Sequence, residues 1–240
     1  MARRRFFVPE IRRGIAEVTG ADAEHLVRVL RVEAGQTFEI SDNARIYLAQ
    51  VRTARKSLVE FAITQELPTT EPAVITHLYV ALFKFDHLEW LVEKATELGV
   101  ASIQPLVAVR SERGLAQAAS KRHSRWQKIA LEASQQSRRA RLPRIEPVLP
   151  FAQAIRIPQC ARLFLDENSE GPALLEPLQQ TSAKEIALLL GPEGGWTEDE
   201  RAAAIHAGWV ACSLGPTILR AETAGIAALA IINADALARQ

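Results

Sequence analysis

Two Gly-Pro dipeptides mark where this chain could do chemistry: Ile186-Ala-Leu-Leu-Leu-Gly-Pro-Glu-Gly-Gly-Trp196 and Trp209-Val-Ala-Cys-Ser-Leu-Gly-Pro-Thr-Ile-Leu-Arg-Ala-Glu-Thr-Ala224. Each ends an apolar, strand-like run and opens a helix-like one. In an open α/β sheet the ligand crevice lies outside the carboxyl ends of the strands, so both loops are predicted to face one pocket. Glycine lets backbone approach a ligand closely, and proline stiffens the turn. A pocket walled mostly by backbone can hold an adenosine.

Other familiar chemistries lack their residues. The chain has neither Gly-x-x-x-x-Gly-Lys-Ser/Thr nor Gly-x-Gly-x-x-Gly, and no Gly-x-Ser-x-Gly elbow. His25, His77, His87, His123 and His206 do not stand at metal-ligand spacing with one another or with the cysteines, so no metal is expected and each histidine reads as a surface or hydrogen-bonded group. Cys160 and Cys212, far apart in apolar stretches, read as buried free thiols of a protein in a reducing cytoplasm.

The elements that must position the two loops follow from the rest of the chain. Its 240 residues are 48% hydrophobic and 24% charged, the composition of a soluble globular protein with a real core. No apolar stretch approaches the roughly 20 residues of a membrane span, and the start has no apolar signal core. Leu67-Pro-Thr-Thr-Glu-Pro72 reads as a linker. It separates a domain over 1–70 from a second over 73–240. In the first, strands over 5–8, 37–41, 46–53 and 58–64 with a short helix over 23–30 suggest a small β-barrel. In the second, strands over 75–83, 102–109, 162–166, 185–190 and 210–214 alternate with helices over 86–98, 120–139, 172–180, 198–207 and 222–238. That alternation is the signature of an α/β fold with a largely parallel sheet. Thr197 followed three residues later by Glu200 is a capping box that starts a helix just after the first loop. The last helix, apolar almost all round, belongs in a core or at a subunit interface.

Net charge is only +1, but it is unevenly spread. Between Arg110 and Pro147 ten Lys or Arg face three acids, and from Val148 onward six face eleven. A basic middle beside an acidic C-terminal part suits a protein that grips a polyanion with one face, or simply a solvated helix face.

Five blocks, in order, resemble the SPOUT-class methyltransferases of the RsmE type, which methylate N3 of a uridine in 16S ribosomal RNA. His25-Leu-Val-Arg-Val-Leu-Arg31 is similar to the signature of their N-terminal PUA-like barrel. Glu93-Lys-Ala-Thr-Glu-Leu-Gly-Val100, with Pro105 and Arg110-Ser111, is similar to their first βα unit, and Trp126-Gln-Lys-Ile-Ala-Leu-Glu-Ala133, with Gln136, Arg139 and Pro143, to their long basic helix. The two Gly-Pro loops resemble their cofactor loops. Departures are Phe85 after Lys84, Val109 before the Arg-Ser pair, Arg138 and Asn43 at usual glycines, and Thr217 and Ala221.

The resemblance implies a deep trefoil knot in the C-terminal part, a homodimer without metal or membrane, and S-adenosylmethionine as cofactor. It places Leu190, Gly191, Glu193, Gly194, Gly195, Leu214, Gly215, Ile218 and Leu219 around that cofactor, with leucines against the adenine. Uridine N3 carries a proton at neutral pH, so transfer needs a base or a cation that stabilises the uridine anion. Glu222 and Arg220, beside the second loop, are the candidates for these roles, with a structural ion pair or a helix-start acid as the plainer alternative. Arg3, Arg4, Arg5, Arg28, Arg31, Arg110 and Arg139 are the candidate contacts to 16S RNA in the small ribosomal subunit. Such arginines hold phosphate and set register more than base choice. A SPOUT enzyme acting on another RNA position, such as a ribose 2′-oxygen, and a ribosome-assembly factor that binds RNA without methylating it remain alternatives at this point.

Overall fold

A computed structural model describes residues 5–167 and 171–239. Arg3 and Arg4 therefore lie outside the described residues. The chain divides into two compact units, one of Met1–Glu71 with Leu131–Leu142 and one of Pro72–Ala130 with Pro143–Gln240. The stretch 131–142, expected within the second domain, thus belongs with the first.

The first unit contains β1 (Arg5–Phe7), β2 (Ile11–Arg12), β3 (Ile15–Thr19), α1 (Gly20–Arg28), β4 (Thr37–Ser41), β5 (Ile46–Arg55) and β6 (Leu58–Leu67). Its sheet runs β1-β4-β5-β6-β3-β2, with β1 parallel to β4 and every other ladder antiparallel. Alternate residues face one core: Ala16 and Val18 of β3, Ala49 and Val51 of β5, and Val59 and Phe61 of β6 meet Phe6 and Leu26. Where the sequence suggested a barrel, the described ladders make an open six-stranded path with α1 packed against β3, β5 and β6. The short hairpin of β2 and β3 escaped the sequence reading. Its two-residue turn, Arg13-Gly14, has φ of 49° and 76°, and an arginine is an unusual occupant of the first of these left-handed positions.

The segment 131–142 is held in this unit by charge. Glu39, buried on β4, accepts hydrogen bonds from Arg5 Nε and Nη2 at 3.1 and 2.7 Å and from Arg138 Nη2. Arg5 also donates to the Arg138 carbonyl, and Asn43 Oδ1 accepts the Leu142 N–H at 2.7 Å. Burial pushes the Glu39 carboxyl up, but the two guanidinium groups outweigh it and hold the carboxyl below its ordinary range.

The second unit contains β7 (Ile75–Ala81), α2 (Phe85–Glu97), β8 (Ser102–Val107), α3 (Leu115–Gln136, whose last turns belong to the first unit), β9 (Arg144–Ile145), β10 (Leu149–Pro150), α4 (Phe151–Ala154), β11 (Ala161–Leu165), α5 (Leu175–Gln180), β12 (Glu185–Leu190), α6 (Glu198–His206), β13 (Val210–Cys212) and α7 (Ala221–Ala238). The sheet order is β10-β8-β7-β12-β11-β13, with β9 beside β8, and every ladder is parallel. Central β12 is buried on both faces from Ile186 to Leu190, which is why it reads as an unbroken apolar run. By length and composition α7 could cross a membrane, contrary to the expectation that no such stretch exists. Its position explains the composition otherwise: Ala228, Leu229, Ile232 and Ala236 pack into the core against α2, α5 and β12.

Candidate active site

The carboxyl ends of β11, β12 and β13 open onto one cleft of about 690 Å³ in the second unit. Its wall includes all nine residues expected around a cofactor: Leu190, Gly191, Glu193, Gly194, Gly195, Leu214, Gly215, Ile218 and Leu219. Arg220 joins them, and so do Lys84 and His87 from the start of α2 and Asp166 and Glu167 from the end of β11.

The first loop is shaped by what fills the space behind it. Trp196 is fully buried and donates its indole N–H to the Leu165 carbonyl at 3.0 Å. A Cβ on Gly191 would stand 2.9 Å from that indole nitrogen, so only glycine admits the ring. Gly195 has φ +68°, and a Cβ there would fall 2.0 Å from Glu167 Oε1. The loop then enters α6 through the expected capping box: Thr197 Oγ1 accepts the Glu200 N–H at 3.2 Å while Glu200 Oε2 accepts the Thr197 N–H at 3.0 Å. Glu200 Oε1 accepts the Val109 N–H at 2.8 Å, which fixes the segment after β8 to the same helix start. From that segment Arg110 Nη1 donates to the carbonyls of Gly194 and Trp196 at 3.0 and 3.2 Å.

The second loop leaves β13 and ends at the start of α7. Ile218 is 84% exposed at the rim. Arg220 is the N-cap residue of α7 and is exposed. Glu222 is only 5% exposed and lies behind the wall of the cleft, where its Oε1 is 3.4 Å from His87 Nδ1. Glu193 Oε1 stands 3.6 Å from the same nitrogen. No ion pair joins Arg220 to Glu222 among the described residues. Beneath the floor, Arg201 holds Asp166 at 2.8 Å, Glu198 at 2.8 Å and Glu167 at 3.3 Å, and the hydrogen bond to Asp166 foremost raises its pKa. Burial pushes the Cys212 thiol up to about 11, so it stays protonated in the cleft wall at neutral pH.

The candidate RNA arginines fare differently. Arg28 and Arg31 are exposed on the first unit, Arg28 pairing with Glu24 at 2.5 Å. Arg139 is half-buried, its Nε donating to the Arg141 carbonyl at 3.1 Å. Arg5 is corrected by its surroundings: it is buried against Glu39, with its guanidinium spent inside the unit. Arg110 likewise faces the first loop. Several other cations of the basic stretch are also engaged, Arg122 and Arg125 by Glu89 and Arg141 by Glu71.

Sequence reasoning missed Asp166, Glu167 and His87. Asp166 ends a predicted strand and Glu167 follows it, and the rule that located the glycine loops would have found them. His87 was grouped with the surface and hydrogen-bonded histidines. That holds for His77, bonded to Ser102 and Glu185, and for His123, bonded to the Ile145 carbonyl, but not for His87. No group of three or more His, Cys, Asp or Glu able to hold a metal occurs among the described residues.

Known proteins match this arrangement along nearly the whole chain. An RNA methyltransferase domain family matches residues 70–233, and an RNA methyltransferase PUA domain family matches residues 18–64. The ribosomal RNA small subunit methyltransferase E of Synechocystis is 35% identical, over 98% of this chain and 78% of its own. That of Bacillus subtilis is 32% identical over 95% of each chain. The crystal structure of the Neisseria gonorrhoeae enzyme of that name, bound to S-adenosyl methionine, superposes with a TM-score of 0.87 at 29% identity, covering 97% of this chain and 98% of that one. With its two glycine loops, the strand ends beneath them and both domains so matched, the chain belongs to the ribosomal RNA small subunit methyltransferase E family of RNA methyltransferases.

Proposed function

We propose that this protein transfers a methyl group from S-adenosylmethionine to N3 of a uridine in the 16S RNA of the small ribosomal subunit. The observation that carries the proposal is the cleft itself, where both glycine loops meet the end of β11 with Arg220 in the wall. The residues fit the cofactor. Gly191, Gly194 and Gly195 leave bare backbone for a flat adenosine, Leu190, Leu214 and Leu219 supply apolar cover, and the carboxylates of Glu193 and Glu167 suit a sulfonium and an ammonium. When bound, S-adenosylmethionine supplies an electrophilic methyl group on sulfur. The protein's part is to align the uridine with it, exclude water and handle the N3 proton. Arg220, exposed in the wall, stabilises the anionic uridine ring as the N3–H bond weakens. Glu222 is the carboxylate behind the removal of that proton. The target base leaves its stack to enter the cleft.

RNA is held by phosphate contacts from Arg28, Arg31 and Arg139 of the first unit, together with Arg3 and Arg4. The second unit carries the trefoil knot and the protein acts in the cytoplasm as a homodimer. The dimer is supported by exposed Trp90 on α2 and Leu237 on α7, two helices that pack together.

The test is methyl transfer to small ribosomal subunits and to free 16S RNA, followed by nucleoside mass spectrometry. Appearance of 3-methyluridine is the expected result. A methylated ribose or another base would keep the cofactor and overturn the target, and absence of both transfer and cofactor binding would leave an RNA-binding protein.

A further inference from the structure

Glu222 poses a problem of placement. A buried carboxylate normally has its oxygens satisfied, because an unpaired one costs on the order of 1–3 kcal/mol or more. Here Oε2 is buried and has no hydrogen-bond partner among the described residues. The carboxylate does not reach the cleft wall, so it cannot meet a substrate there directly. What stands between it and the cleft is His87.

His87 Nδ1 is also buried and, like Glu222 Oε2, makes no hydrogen bond among the described residues. Two carboxylates stand near it, Glu222 Oε1 of α7 at 3.4 Å and Glu193 Oε1 of the first glycine loop at 3.6 Å, and the Glu222 contact has only to tighten for the Nδ1–H to be held. The ring as a whole lines the cleft, with its side chain 32% exposed. The nearest charge to Nε2 is exposed Asp86, on the same helix, at 3.8 Å, beyond hydrogen-bond reach. Lys84, which precedes α2, and Arg220 of the second loop are the cations lining the same cleft. An imidazole whose Nδ1–H is held by a carboxylate is fixed in the tautomer that presents an Nε2 lone pair. A base oriented in this way by a third group is the general logic of an activated proton acceptor.

We propose that His87 Nε2 takes the N3 proton of the target uridine, with Glu222 as the positioning residue that holds Nδ1–H and balances the imidazolium charge. This assignment rests on the uridine-N3 reading above. The N3–H bond breaks as the N3–carbon bond forms and the methyl–sulfur bond breaks. The proton goes to Nε2, the sulfur leaves as a neutral thioether, and the imidazolium returns its proton to water through its exposed edge. Glu193, whose Oε1 stands 3.6 Å from Nδ1, couples this ring to the first glycine loop.

Single-turnover methyl transfer by the full-length protein, followed from pH 5.5 to 9.5, tests the assignment. In the native protein the rate should level off toward the alkaline end, because a protein group and not hydroxide takes the proton. His87→Gln should lower the plateau at least about 100-fold and leave a rate that keeps climbing with hydroxide, while calorimetric affinity for S-adenosylmethionine stays within threefold. Imidazole in the buffer should partly restore a His87→Ala variant. Independently of any activity, ¹⁵N NMR of the imidazole groups should show His87 as the Nδ1–H tautomer, and Glu222→Gln should remove that preference. Native protein that methylates N3 with His87→Gln matching its rate within threefold across the pH range overturns the role of His87 alone. Native protein that methylates elsewhere or not at all overturns the uridine reading. In that event an Nε2–H tautomer, or a spectrum indifferent to Glu222→Gln, would also overturn the dyad.

Discussion

Replacing Arg110 with alanine separates two roles that one cationic side chain could have. Its Nη1 is shared between the Gly194 and Trp196 carbonyls at 3.0 and 3.2 Å, so it pins the first glycine loop at both ends of Gly195. A buried hydrogen bond to a charged group contributes about 1.5–3 kcal/mol. Arg110 is exposed, and solvent screening reduces each of these contacts, leaving about 1–2 kcal/mol for the pair. Without the pin, the cost of ordering the loop falls on cofactor binding. At about 1.4 kcal/mol per factor of ten, affinity for S-adenosylmethionine should weaken roughly 5- to 30-fold.

Calorimetry without RNA measures that loss directly, and Arg110→Lys, whose ammonium can donate to both carbonyls but ends on a shorter side chain, should recover it only in part. The companion measurement is RNA affinity against salt. A lysine or arginine that contacts phosphate adds about 0.7–0.9 to the salt slope, so its removal would lower the slope by that amount. The loop role predicts an unchanged slope. Cofactor affinity within twofold of native, together with a slope reduced by nearly one, would refute the loop role and return Arg110 to the RNA surface.

Glu39→Gln leaves Arg5 buried without its counter-charge and should destabilise the first unit by about 3 kcal/mol, read from urea unfolding followed by a probe placed in that unit. Because the Glu39 carboxyl is held below the value of about 4.3 that it has in an unfolded chain, its contribution is complete above that pH and lost as the pH falls through the folded value. Native protein should accordingly lose stability on acidification below about pH 4 more steeply than Glu39→Gln. Arg138→Gly removes a left-handed residue, φ 58°, worth about 1 kcal/mol of strain, but also one of the two cations on Glu39. With the added freedom of glycine in the unfolded chain, the net change should be a loss of about 1 kcal/mol in the native background and none, or a gain, beside Glu39→Gln, as a double-mutant cycle would reveal. Cys212, its thiol pushed up to about 11 by burial, should resist alkylation at pH 7.5 in the folded protein and react on unfolding, with labelled-peptide mass spectrometry as the check.

The parts of the fold legible in the sequence are those governed by local rules. Residues 185–190 form a strand with the bounds expected, because a strand buried on both faces is a continuous apolar run ending at glycine and proline. The capping box at Thr197 and Glu200 needs only four consecutive residues. By contrast, the β2–β3 hairpin turns on Arg13-Gly14, which lacks the Asn-Gly or Asp-Gly signal of a two-residue turn. The allegiance of 131–142 to the first unit depends on Glu39 and Arg138, 99 residues apart. Asn43 and Arg138, where the resemblance leads one to expect glycine, both have left-handed φ, 69° and 58°. Here the sequence marked an unusual residue while the backbone kept the conformation that glycine would have adopted.

The site divides along the same line. Glycines and leucines that wall a cleft act through backbone and shape, and the nine residues that the resemblance placed around a cofactor all line one cleft. Charged groups act through partners, and partners come from elsewhere in the chain. Arg5 and Arg110 have the composition of RNA contacts, yet one neutralises a buried carboxylate and the other closes a loop 84 residues away. Glu222 shows the consequence for chemistry. Beside the second loop in sequence it suggests a base, but α7 turns its carboxylate behind the wall, toward a histidine that α2 supplies from the far end of the unit's chain. A carboxylate so enclosed can influence the cleft only by holding a neighbour that reaches it. The pair to remove together is therefore His87 and Glu222. If they act as one unit, the double variant should lose little more activity than His87→Gln alone, whereas independent roles would multiply.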